Sequence, residues 1–151
     1  MKRFSFRLDR VLQLREMAER EQARALAKAL REEEERRAAA EAGEARLAEA
    51  REQFSTTPRE LSQAGTLQNL ELAIDALSDS LRHLAADHEK SLEQVERERH
   101  QFEQARMARR VIERLREQRR EAWGEELSRD EQRASDETGL QRAQAQGRGQ
   151  P

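Results

Sequence analysis

The side chains of this sequence with the most obvious chemical potential are three histidines, His83, His88 and His100. Two metal ligands on one helical face normally stand four residues apart, as in the HExxH pattern, and no two of these histidines have that spacing. The sequence has no cysteine, so it offers neither a thiolate ligand nor a disulfide. It has no glycine-rich phosphate-binding loop, and its carboxylates are too frequent for any pair to indicate acid–base catalysis. We therefore predict that the protein is not an enzyme and holds no metal or cofactor.

A second chemical candidate is an arginine-rich stretch made of Arg106, Arg109, Arg110, Arg114, Arg116, Arg119 and Arg120. On a long helix, such a stretch resembles the DNA-contacting basic region of a zipper protein. Glutamates interleave with these arginines, however, and the formal net charge of the chain is -2 at pH 7. DNA-binding domains instead carry a net basic surface. We therefore predict no nucleic-acid partner and favour an acidic protein surface, toward which charge raises association rate and specificity.

Two single residues are each open to two interpretations. Trp123, the one tryptophan of the sequence, is either an exposed interface anchor or packs on Phe4 or Phe6. His88 lies on the apolar seam described below. It is either a pH switch or, as we favour, a polar seam residue that fixes the register of paired helices.

The composition restricts the elements that position these residues to long helices. Charged residues make up 40% of the 151 residues, hydrophobic ones 35% and aromatic ones 3%, and the mean hydropathy is -1.13. So few large apolar side chains can cover a narrow seam between helices but cannot fill a compact core. The small net charge, with only 2 prolines and 6 glycines, favours helix over disorder. No apolar run is long enough for a signal peptide or a membrane span, so we expect a cytoplasmic protein without direct membrane insertion.

A heptad seam is the clearest periodic pattern. Steps of three and four residues from Leu67 reach Leu70, Ile74, Leu77, Leu81 and Leu84. The same stepping continues to Ile112, through His88, Ser91, Val95, Glu98, Phe102, Ala105 and Arg109. This period predicts a left-handed coiled coil. The first half has a weaker, alanine-rich seam. Charged residues four apart predict ion pairs along helix surfaces: Glu32/Arg36, Glu33/Arg37 and Glu93/Arg97.

Pro58 and Gly65 interrupt the helical pattern near mid-chain, because proline removes a backbone donor and ends a helix. A short turn between two long amphipathic segments favours an antiparallel pair. The predicted fold is therefore all-α, a long antiparallel two-helix coiled coil, or helical hairpin. Its predicted parts are helix 1 over 1–54, a turn over 55–65, helix 2 over 66–138 and a flexible tail over 139–151.

Both ends of the chain carry residues that resemble a known family. Near the N-terminus, Phe6, Leu8, Leu12 and Arg15 follow a Phe-x-Leu-x-x-x-Leu-x-x-Arg pattern, with Leu26-Ala27 further on. The second mark is a basic pair followed by Glu, Leu, an aromatic, Glu-Gln, Asp-Glu and Arg: Arg109-Arg110, Glu113, Leu115, Trp123, Glu131-Gln132, Asp136-Glu137 and Arg142. The chain thus resembles the FliJ family of flagellar export proteins, although tyrosine is more usual than tryptophan at the aromatic position.

This resemblance implies a coiled coil similar to the central stalk of rotary ATP synthases. It implies a cytoplasmic component of the flagellar type III protein export apparatus, needed for flagellum assembly and peripherally associated with the inner face of the cell membrane. The implied partners are the export ATPase ring, the cytoplasmic domain of the export gate membrane protein and the export chaperones. Carried over to this chain, the ATPase-facing residues are Leu8, Leu12, Arg15, Arg109, Arg110, Glu113, Arg119, Asp136 and Glu137. Candidates for gate or chaperone contact are Leu67, Leu70 and Ile74.

Two other functions fit the same pattern of residues. One is the equivalent stalk of a virulence type III secretion system, which gene neighbourhood would distinguish. The other is a structural coiled coil that associates with itself. The stalk hypothesis predicts an elongated monomer, whereas the structural one predicts a dimer that depends on concentration.

Overall fold

The computed structural model describes residues 3–59 and 64–147 of the chain. It contains two long helices that pack against each other: α1, Asp9–Thr56, of 48 residues, and α2, Ala64–Gly147, of 84 residues. The predicted all-α fold class is confirmed. Contacts divide the chain into two compact units. We call Ala18–Ala105 the central unit, and Met1–Met17 with Arg106–Pro151 the terminal unit.

The start and end of α1 follow from local hydrogen bonding. The backbone amide of Asp9 donates to the Phe6 carbonyl, 3.1 Å away, so a turn precedes the helix. The Asp9 carboxylate then lies in the first turn, where its negative charge interacts favourably with the positive end of the helix dipole. At the other end the Thr56 hydroxyl donates to the Glu52 carbonyl at 3.0 Å, and Pro58 follows. Helix 1 was predicted over 1–54, so its observed start is eight residues later.

The observed α2 is longer than the predicted 66–138 at both ends. It begins at Ala64, and it continues to Gly147. Residues 139–147, predicted as part of a flexible tail, therefore belong to the helix. A single interior glycine such as Gly139 costs only about 1 kcal/mol relative to alanine, and the surrounding sequence is rich in strong helix formers. Residues 148–151, and 60–63 of the predicted turn, lie outside the described part of the chain.

The central unit pairs parts of α1 and α2 in antiparallel orientation. Glu33 contacts His88, and further along α1 Gly43 lies against Leu81 and Leu84, earlier in α2. A Cβ atom built at Gly43 would lie 3.0 Å from Leu84 Cδ1, so glycine permits the close approach here. Every position of the predicted seam from Leu67 to Ala105 is buried or half-buried. The heptad prediction is therefore confirmed within this unit.

The terminal unit pairs the beginning of the chain with the second half of α2. Phe6 and Leu12 are buried, at 7% and 4% exposure. An ion pair joins Asp9 Oδ1 to Arg116 Nε over 3.3 Å. These contacts hold the start of α1 antiparallel to α2 and leave the opposite surface of α2 exposed.

Candidate functional site

An aromatic contact anchors the N-terminal segment on α2. The rings of Phe4 and Trp123 have centroids 5.9 Å apart and are tilted by 57°, an arrangement favoured by aromatic quadrupoles. Trp123 is half-buried. Of the two interpretations of this tryptophan, packing on an N-terminal phenylalanine is the one observed.

Beside this aromatic contact, the terminal unit contains an open groove of about 820 Å³. The N-terminal segment and α2 each supply part of its wall, and the lining residues are Phe4, Ser5, Phe6, Arg7, Leu8, Arg119, Ala122, Trp123 and Glu126. Arg7, Arg119 and Glu126 are exposed, whereas Phe6 is buried. The groove therefore combines an apolar floor with charged groups of both signs, a composition suited to protein recognition.

The nine residues predicted to face the ATPase all belong to the terminal unit. Leu12 is buried and Leu8 half-buried, so these two side chains mainly support the packing. Arg109, half-buried, donates a hydrogen bond to the Glu113 carboxylate one turn later on α2. The exposed members are Arg15, Arg110, Arg119, Asp136 and Glu137.

Only some of these residues are close together. Leu8 and Arg119 line the same groove, although they come from opposite ends of the sequence. Asp136 and Glu137 lie well beyond the groove on α2. At 1.5 Å per residue, Asp136 is roughly 20 Å along the helix from Trp123. The predicted ATPase-facing residues thus fall in two places: one set lies at or near the groove, and the acidic pair Asp136 and Glu137 lies further along α2.

The residues predicted for gate or chaperone contact lie on the seam of the central unit. Leu67, Leu70 and Ile74 are all half-buried. Part of each side chain is therefore engaged in packing and part remains accessible. Leu72, on a different face of the same helix, is 62% exposed.

His88 has a defined partner on the other helix. It donates a hydrogen bond from Nε2 to Glu33 Oε1 over 2.8 Å, and the two side chains are only 25% and 15% exposed. A polar pair that crosses the seam at one position supports the interpretation that His88 fixes register. The neighbouring pair Arg36–Asp87 also crosses, but at 3.8 Å and with both side chains about half exposed.

The predicted ion pairs within helices are partly confirmed. Glu93 and Arg97 lie 3.7 Å apart, as expected. Glu33 instead bonds to His88, and Arg36 lies near Asp87. Interhelical partners therefore displace the local pairing, which the sequence did not indicate.

An apolar stripe on the outer surface of α2 was not predicted from the sequence. Met107, Val111 and Leu115 are exposed by 65%, 60% and 40%. Their spacing of four residues was a usable signal, because it places all three on one helical face. The stripe lies outside the heptad seam, which in this unit passes through Arg109 and Ile112.

Among residues 3–59 and 64–147, no three acidic or histidine side chains are grouped so that they could hold a metal ion. Neither described helix contains a stretch apolar enough, over a sufficient length, to cross a membrane.

A family model described as "Flagellar FliJ protein" matches residues 4–148, a range that includes all of α1 and α2. Comparison with curated proteins and with solved structures gave no match.

Proposed function

Because the chain belongs to the FliJ family, and so is a structural component of the flagellar protein export apparatus, we propose that it acts there as a non-enzymatic stalk for the export ATPase ring. It works in the cytoplasm and associates with the membrane only through the apparatus. It links the ring to the cytoplasmic domain of the export gate protein and to export chaperones. One copy of the chain performs this role as a monomer.

The observation that carries the proposal is the terminal unit, where a packed seam presents exposed charges. Phe6 and Leu12 are buried, so the start of α1 has a fixed position on α2. Arg15, Arg110 and Arg119 are exposed on that support. A protein surface that meets these groups encounters charges in set positions, which favours specific docking.

Coupling to a ring requires contacts that differ between the states of the ring, because an element that binds all states equally shifts no equilibrium. Charged side chains on a stiff helical pair suit this task. They bind an open and a closed subunit differently when the carboxylates of the subunit move by a few ångströms, since Coulomb energy depends on distance. The chain then biases hydrolysis without contributing a chemical group.

The second contact, with the gate and the chaperones, involves Leu67, Leu70 and Ile74 in this proposal. Their half-buried side chains leave some apolar surface accessible near the start of α2. A pull-down with the isolated cytoplasmic domain of the gate protein, using the full chain and its Ile74→Ser variant, tests this contact. Equal capture of both proteins would refute the assignment of these residues.

The ATPase role is tested by titrating the purified chain into the export ATPase and recording both hydrolysis and ring assembly. We expect the chain to increase both. Replacing Arg110 and Arg119 by glutamate should raise the half-saturating concentration about tenfold, because two attractive contacts become repulsive. The matched control replaces Arg46 and Arg51, exposed arginines of the central unit, by glutamate.

The control variant carries the same change in net charge and should behave as the original chain. No stimulation by the original chain, or equal loss in both variants, would refute the stalk proposal. Sedimentation addresses the self-associating alternative, because the stalk proposal requires a sedimentation coefficient that is independent of concentration. Gene neighbourhood distinguishes the flagellar from the virulence system.

A further inference from the structure

The outer surface of α2 in the terminal unit carries apolar side chains in consecutive turns. Met107, Val111 and Leu115 are 65%, 60% and 40% exposed, whereas Arg109, on the opposite side of the helix, is half-buried. In a chain with 40% charged residues, three large exposed apolar side chains on one face are unusual. Contiguous exposed apolar surface of this kind marks interaction sites.

The stripe continues into the groove already described. Ala122 follows Leu115 by seven residues, which brings it within about 20° of the same direction on the helix. Ala122 lines the groove beside Phe4 and Trp123. We call the surface formed by Met107, Val111, Leu115 and Ala122 the outer stripe. It extends over roughly 22 Å, or about four helical turns.

Basic residues border the outer stripe. Seven arginines and three glutamates lie between residues 106 and 121, which leaves four positive charges in a chain whose net charge is -2. Arg110 and Arg114 lie along one edge of the stripe, and Arg119 lies along the other. All three are exposed. An occupant of the stripe therefore experiences a positive field on both sides.

We propose that the outer stripe is a docking site for an acidic amphipathic helix of another protein. The four-turn length and the helical period of the stripe match a helix laid along α2, with apolar residues at positions i, i+3, i+4 and i+7 facing the stripe. Carboxylates on the flanks of that helix meet the bordering arginines. The apolar residues of the stripe are not among those assigned to the ATPase, but its border shares Arg110 and Arg119 with the proposed ATPase-facing surface.

The same observations argue against three other occupants of the stripe: a membrane surface, nucleic acid and a second copy of this chain. A membrane surface favours a broad apolar face with large side chains, whereas the stripe has about one residue per turn. An apolar stripe between the arginines does not complement the charged phosphate backbone of a nucleic acid. A second copy of this chain would have to supply a helix that is apolar along one face, but the acidic segment 124–147 of α2 offers only Leu127 and Leu140 as large apolar residues.

The test uses a fluorescein-labelled synthetic peptide of three seven-residue repeats, with leucine at the first and fourth positions and glutamate on the flanks. Binding to the full-length chain is followed by fluorescence anisotropy. We expect saturable binding that weakens with salt, and none for the peptide with lysine in place of glutamate. Replacing Met107, Val111 and Leu115 by glutamine should weaken binding by about tenfold or more.

The matched control replaces Leu14 and Met17 by glutamine. These residues are 59% and 63% exposed on α1 in the same unit, and the change should leave binding unaltered. Circular dichroism verifies that both variants keep the helical content of the original chain. Equal binding to the stripe variant and the original chain, or equal binding of the lysine peptide, overturns the proposal.

Two further measurements separate the other occupants. Stripe-dependent binding to vesicles containing anionic lipid, without peptide binding, would assign the surface to membranes and overturn the proposal. Stripe-dependent dimerisation in sedimentation, without peptide binding, would assign it to a second copy with the same consequence. The peptide assay contains no ATPase, so its failure is distinct from failure of the stalk proposal.

Discussion

The hydrogen bond between Glu33 and His88 should contribute more to stability than the neighbouring ion pair between Arg36 and Asp87. Both pairs join α1 to α2, and they lie next to each other in the central unit. The first pair is 2.8 Å long with side chains 25% and 15% exposed, whereas the second is 3.8 Å long and about half exposed. Their comparison therefore isolates the effect of burial and geometry.

The expected magnitudes follow from these values. Removing one partner of a buried hydrogen bond leaves the other unsatisfied, at a cost of about 1–3 kcal/mol. Exposed ion pairs contribute about 0–1 kcal/mol. In a double-mutant cycle with alanine, we expect a coupling energy of roughly 1–2 kcal/mol for Glu33 and His88. For Arg36 and Asp87 we expect less than about 0.5 kcal/mol.

The assay is urea unfolding at constant pH, followed by the far-ultraviolet circular dichroism of each single and double variant. Equal denaturant dependence across a cycle establishes that the variants unfold in the same manner. A Glu33–His88 coupling no larger than that of Arg36–Asp87 would refute the reasoning that this polar seam pair fixes register. A further comparison replaces both Glu33 and His88 by leucine. This change should raise the free energy of unfolding, because two apolar side chains avoid the desolvation cost of a polar pair. It should also make the register between α1 and α2 less unique, because the specific hydrogen bond is lost.

Two further predictions concern an aromatic contact and the space beside two glycines. Phe4→Ala should red-shift the emission of Trp123 and increase its quenching by acrylamide, because the one tryptophan loses its aromatic neighbour 5.9 Å away; unchanged emission would contradict the packing described. Gly43→Val should lower the free energy of unfolding by about 1–3 kcal/mol, because even a Cβ atom would lie 3.0 Å from a leucine methyl. Gly124→Ala should raise the free energy of unfolding by up to about 1 kcal/mol, because a Cβ atom added there would meet no neighbouring group within 4 Å. Urea unfolding in which Gly43→Val is the more stable of the two variants would refute this account.

The seam of α2 could be predicted from sequence because burial follows a local rule. Residues at alternating steps of three and four lie on one face whatever the partner is, and the prediction holds from Leu67 to Ala105. The ends of the helices were harder to predict from the sequence. The end of α1 depends on hydroxyl bonds to the Glu52 and Gln53 carbonyls, and α2 continues through Gly139 because a single glycine costs little.

The interhelical pairs could not be predicted, because they depend on the register between the two helices, and the seam of α1 is only weakly patterned. Glu33 has Arg37 one turn away, and only the alignment of α1 with α2 shows that His88 is its partner. The same holds for Asp9 and Arg116, which are far apart in sequence. Local spacing assigns a residue to a face, whereas its partner on the other helix depends on how far the two helices are shifted along each other.

The two faces of α2 in the terminal unit differ in how far a substitution disturbs the packing. Phe6 and, in α1, Leu12 are buried on the inner side, so changes to them alter folding before they alter binding. On the outer face, Val111 is 60% exposed and Arg110 is exposed as well, so substitutions there leave the packing largely intact. In a two-helix protein with so small a core, a partner that recognised inner residues would have to unfold what it binds. The proposed docking site on the outer face avoids that conflict, and it would let one helix carry both a packed seam and a binding surface.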